Sequence, residues 1–222
     1  MENLTNIEKE AQQNFKIAQY ERELAQKSKT NAIFEIKKSK AREKLLKIEY
    51  ELAQIKKDLA EKRRILASEK SEIKKKQILD FSEEELKNEN EYAIYNEKIA
   101  KNQKEIAEIH KKIATVEKQI AELKLKLSRE KLDVAKAREK LASKQTTYLK
   151  VTRVPASENK ILKAKNNLEE QKKILLKQKN DLLEKEQDIK KKENKLAELK
   201  KELSMKFAER EKIRHPGIII AE

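Results

Sequence analysis

Tyr92, Ile99, Ile106, Ile113, Ile120, Leu127, Val134, Leu141 and Tyr148 stand seven residues apart, all of them apolar or aromatic, with no Gly or Pro between them. A repeat this long is the pattern of a coiled-coil seam. Ile109, Val116 and Leu123 add the companion column three residues on, so the candidate seam is Ile99, Ile106, Ile109, Ile113, Val116, Ile120, Leu123 and Leu127. Two further runs carry the same period. Leu45, Ile48, Leu52, Ile55, Leu59, Leu66 and Ile73 alternate in threes and fours, and Ile161, Leu168, Leu175, Leu182, Ile189, Leu196 and Leu203 recur in sevens. The last run is only half apolar, because Gln171, Gln178, Lys185 and Lys192 fill its companion column. Such a helix packs weakly by itself, so it is expected to lie antiparallel against the better central seam.

Breaks in phase mark where the helices end. Over 74–86 three lysines precede three glutamates, each set opposing the dipole of the helix end it would occupy. Ser82 and Glu85 have the spacing of a capping box, with Phe81 and Leu86 placed as its hydrophobic staple. A turn there is favoured over an uninterrupted helix. The second break is the β-branched stretch from Gln145 to Pro155, after which Ser157 is the expected N-cap and Glu158 suits the first turn. Helices are therefore expected at about 4–79, 83–147 and 158–214. The fold class is all-α, an elongated coiled coil of about three long helices, at least the last two folded back as an antiparallel hairpin. Its parts are a long N-terminal helix (1–81), a central heptad helix (82–148), a hinge loop (149–157), a C-terminal helix (158–215) and an apolar tail (216–222).

A second stripe runs beside the central seam. Ala93, Ala100, Ala107, Ala114, Ala121, Ala135 and Ala142 share one heptad column, with Leu125 and Leu132 next to it, and Leu46, Ala53, Ala60 and Ala67 show the same tendency in the first helix. Alanine is a good exposed helix former, but its confinement to one column points to contact with another helix, of this chain or of a partner. Ala100, Ala107, Ala114, Ala121, Leu125 and Leu132 are accordingly candidate protein-binding residues. The tail adds Ile218, Ile219 and Ile220, β-branched residues after Pro216-Gly217 that favour an extended, docking segment over helix.

Composition agrees with a helical rod and excludes most chemistry. Charged residues make up 43% of the chain and aromatics 4%, too little apolar bulk for a large globular core. Disorder would share that composition but would not place Leu, Ile and Ala at helical period. With no Cys there is no disulfide or thiol chemistry, and the only Gly, at 217, leaves no Gly-rich phosphate loop. His110 and His215 lack the context of a catalytic base or metal ligand. No enzymatic activity, cofactor, metal or small-molecule substrate is expected. The start of the chain has no secretory signal and its longest apolar run is Ile218–Ala221, so the expected compartment is the cytoplasm.

The net charge of +15 raises binding to nucleic acid or an anionic membrane as the alternative function. The excess is spread, +6 over 1–80, +2 over 81–148 and +7 over 149–222, with acidic residues interspersed and no aromatic stacking platform. Solvated helix faces account for it better. Charge matching along the central seam is mixed: Lys112 with Glu117 and Asp133 with Arg138 attract, while Lys126 with Lys131 repels. Together with Asn102, Glu130 and Lys144 in the inner column, this favours intramolecular antiparallel packing or hetero-association over a simple parallel homodimer. The reading that results is a non-enzymatic scaffold, spacer or linker joining subunits of a larger complex, with self-association among its modes of contact. Its outline is similar to that of cytoskeletal, motility and motor-stalk components.

Overall fold

A computed structural model describes the backbone of residues 2–76 and 83–213, and the side chains of 4–73 and 87–213. It is all-α: α1 (Glu2–Lys76), α2 (Glu83–Arg153) and α3 (Glu158–Glu211), with no strand among the described residues. Helix α1 packs on α2 and α2 on α3, the last two as an antiparallel hairpin. Long uninterrupted helices follow from a sequence rich in Lys, Glu, Leu, Ala and Gln, with Pro155 the only proline between residues 1 and 213. The expected Ser82–Glu85 capping box, the Phe81–Leu86 staple, His215 and the 216–222 tail lie outside the described residues.

The break after α2 is narrower than the hinge expected over 149–157. Helix continues to Arg153, and only residues 154–157 link it to α3. Threonine weakens helices by restricting its own side chain, but here the hydroxyls of Thr146, Thr147 and Thr152 donate to the carbonyls of Ala142, Ser143 and Tyr148, four residues back. Leu149 is buried in the same stretch, so tertiary packing overrides propensity. Pro155 then ends the run. The Ser157 carbonyl accepts from the backbone N–H groups of Lys160 and Ile161, which makes it the N-cap residue of α3.

The described residues form two packed units. The first joins the part of α1 through Lys38 with Gln119–Glu193. Its α2·α3 core is Val134, Ala137 and Leu141 against Leu168 and Leu175, with Tyr148 and Leu182 at the edge. The half-polar column of α3 reaches across this contact: buried Gln171 donates to the Ala137 carbonyl at 3.1 Å, and Lys192 donates to Gln119 at 2.9 Å. On the opposite flank of α2, α1 runs antiparallel, with Glu8 meeting Arg153, Glu21 meeting Arg138 and Glu35 meeting Lys124. The Arg153 guanidinium hydrogen-bonds and attracts the Glu8 carboxylate, holding its pKa below the usual value.

One layer of the first unit is incompletely satisfied. Glu130 Oε2 and Gln178 Oε1 are buried without a hydrogen-bond partner, in a seam where both neighbouring layers are apolar. An unmatched buried acceptor costs about 1–3 kcal/mol. Glu130→Leu is therefore expected to raise stability by about 1 kcal/mol, visible as a higher thermal midpoint in circular dichroism; an unchanged or lower midpoint would show that the carboxylate has a compensating role.

The second unit joins Ser39–Lys118 with the part of α3 from Asn194. Its α1·α2 pair is again antiparallel: Arg42 with Glu117 and Lys118 with Glu43, both at 2.9 Å, then Arg64 with Glu97 and Lys70 with Glu89. The last of these pairs lies close to the adjoining ends of α1 and α2, so the two helices stay antiparallel to those ends; the expected turn itself lies outside the described residues. Asn102, a polar residue in the inner column of α2, is buried and donates to the Lys206 carbonyl of α3 at 3.2 Å. The Lys206 ammonium bonds Glu209 and Glu105, and these two carboxylates raise its pKa above the ordinary lysine value.

Candidate protein-docking surface

The faces available for recognition depend on which stripes the helices use to hold one another. On α1 the buried positions are Ala11, Ala18, Ala25 and Ala32 in the first unit and Leu46, Ala53 and Ala60 in the second, all on one heptad column. On α2 the corresponding column is Ala93, Ala100, Ala107, Ala114, Ala121, Ser128, Ala135 and Ala142, every member buried. Small side chains on both helices let the two backbones approach closely, and the antiparallel ion pairs set Ala25 opposite Ala135, Ala32 opposite Ser128, and Leu46 opposite Ala114. Ser128 replaces an alanine at no polar cost, since its hydroxyl donates to the Leu125 carbonyl of its own helix at 2.8 Å.

Ala100, Ala107, Ala114 and Ala121 are thus covered by α1, leaving them no open surface for another protein. Leu125 and Leu132 are half-buried beside that contact, and Ile218, Ile219 and Ile220 lie outside the described residues. Of the central seam, Ile106, Ile109, Ile113, Val116 and Ile120 are buried, and Ile99, Leu123 and Leu127 are half-buried. Sequence reasoning found the column in α2 and in the second half of α1. It missed Ala11, Ala18, Ala25 and Ala32, although they continue the same heptad phase and the signal was there to be read.

The apolar run in α1 that has the form of a seam is left largely uncovered within its unit, although Leu52 borders a shallow groove with Ile106 and His110 of α2. Leu45, Ile48, Leu52, Ile55, Leu59, Leu66 and Ile73 are all exposed, Ile48 to 66% and Leu66 to 63%. At 100° per residue Leu45, Leu52 and Leu59 sit little more than a quarter-turn from Leu46, Ala53 and Ala60, and Ile48 and Ile55 sit nearly opposite them, so α2 covers the alanine column and leaves most of the stripe open. Bare side chains of this size in a regular row are uncommon without a partner. In the first unit Phe15, Ile17, Tyr20, Leu24, Ile33 and Phe34 of α1 are likewise exposed.

Sites for small molecules are poorly developed by comparison. An open groove of about 800 Å³ in the first unit has Ala11, Ala142 and Leu149 along its floor and Glu8, Lys16, Lys150 and Arg153 at its rim. Two of these charged groups, Glu8 and Arg153, are paired with each other. No cluster of three metal-ligating side chains exists among the described residues. His110 is half-buried with its ring 6.3 Å from that of Phe207, an aromatic contact and not a hydrogen-bonded relay. No described helix is long and apolar enough to cross a membrane.

Fold and surface together define a class: a three-helix antiparallel coiled-coil protein with an additional bare seam. No protein-family model and no curated protein matches the chain.

Proposed function

We propose that this is a non-enzymatic structural protein, a scaffold, spacer or linker that joins components of a larger assembly of the cytoskeletal, motility or motor-stalk kind, working in the cytoplasm. The observation that carries the reading is the bare heptad seam of α1: the chain folds its three helices together and still presents a row of Leu and Ile with coiled-coil spacing. The charges fit the same role better than nucleic-acid binding. Arg42, Arg64, Lys70, Lys118, Arg138 and Arg153 all pair with carboxylates of a neighbouring helix, so these cations set internal register and are not gathered on one basic face.

Cross-linking mass spectrometry on the native cell, followed by native purification, tests it. A partner recovered in fixed stoichiometry, cross-linked through Lys44 or Lys56 beside the seam, is the expected result. Recovery of free monomer alone would remove the basis for a linking role.

A further inference from the structure

We infer that the bare seam of α1 in the second unit receives a second copy of this chain, with the two α1 helices parallel and in register. The inference rests on the structural reading above and names the partner. Its core is Leu45, Ile48, Leu52, Ile55 and Leu59, five successive inner positions that are all large, apolar and exposed. In the parallel arrangement each meets its own counterpart, so every layer of this stretch is apolar against apolar.

The flanking charges select that arrangement. In a parallel coiled coil the residue just before each position of the first inner column, here Leu45, Leu52 and Leu59, pairs with the residue five further along the other helix. The pairs are Lys44 with Glu49, Glu51 with Lys56 and Asp58 with Arg63, opposite in sign in three consecutive heptads. Symmetry doubles each one. The antiparallel arrangement that matches Leu45 with Ile55 instead sets Glu51 against Glu51 and Glu49 against Glu49. Sliding the antiparallel helices until those repulsions vanish places Lys38 against Ile55. All six flanking residues are exposed, and among the described residues Lys44, Glu49, Lys56 and Arg63 have no ion pair within the chain.

Lys62 and Glu69 occupy inner positions beyond Leu59, which confines the tightest contact to 45–59. A seam this short would not hold two isolated peptides. Here the helix is already formed by packing on α2, so association does not bear the cost of ordering it. A contact confined to five inner positions is expected to bury less than the ~1,600 Å² of a standard interface, so reversible, concentration-dependent association is the expected behaviour.

Three measurements on the full chain decide it. Sedimentation velocity over rising concentration should show mass above the monomer, and Leu52→Lys with Ile55→Lys should weaken that association roughly tenfold or more while leaving helicity unchanged. Glu51→Lys with Asp58→Lys should weaken it too, and mixing that variant with Lys56→Glu and Arg63→Glu should restore it. Because the chain has no Cys, Leu45→Cys supplies a unique thiol; it should form a disulfide-linked pair readily on oxidation if the helices are parallel. A strictly monomeric wild type, or failure of Leu45→Cys to cross-link, overturns the inference. A different protein held on wild type but lost from the Leu52/Ile55 variant also overturns it, while leaving the linker reading intact; monomer with no partner of any kind removes both.

Discussion

Ala25→Leu is expected to destabilise the protein by about 3 kcal/mol, the upper part of the range for overpacking a closed contact. Ala25 and the facing Ala135 are each 1% exposed, and the space between them is bounded by two backbones instead of by side chains that can change rotamer. A leucine there must push α1 away from α2, and the neighbouring layers at Ala18 and Ala32 lose their contacts with it. Ala197→Leu on the exposed face of α3 is the matched control, with an expected change within about 0.5 kcal/mol. Urea unfolding followed by circular dichroism reads both. Equal stability of the two variants would mean that the alanine column is not a close contact.

The second large effect belongs to α3. Leu175 is buried in the α2·α3 core, and Leu175→Ala should cost about 2–5 kcal/mol, the transfer term plus a cavity. The loss should be local. Alternate inner positions of α3 are Gln171, Gln178, Lys185 and Lys192, so few apolar layers hold the helix and removing one is a large fraction of the total. Native-state hydrogen exchange on the variant is expected to show α3 amides exposed while those of α1 and α2 keep their protection. Simultaneous loss of protection in all three helices would contradict this picture.

The helical class, the three elements and the hairpin of α2 and α3 were legible because heptad spacing and a scarcity of Gly and Pro leave few alternatives. The role of each stripe was less legible. In α1 the stripe of Leu and Ile has the stronger sequence signal, yet the alanine column beside it is the one α2 covers. Periodicity shows that a face is apolar and does not show what lies on it. Facing small residues gain their energy from proximity of backbones, which no single position announces; only the coincidence of two alanine columns on antiparallel helices does. The extension of α2 to Arg153 was hidden for a related reason, since the burial of Leu149 outweighs local propensity.

The uniformity of the alanine column has a further consequence for how the helices keep their place. Displaced by one heptad in the first unit, α1 would set Ala18 against Ala135 and Ala25 against Ser128, a fit scarcely different from the native one. The column behaves as a rail with equivalent notches about 10 Å apart. Arg138 acts as the catch: it grips both oxygens of Glu21 at 2.9 Å, and one notch away it would find only Asn14 or Ser28. Closeness comes from the smallest side chains in the protein, while the choice of notch is left to some of the longest.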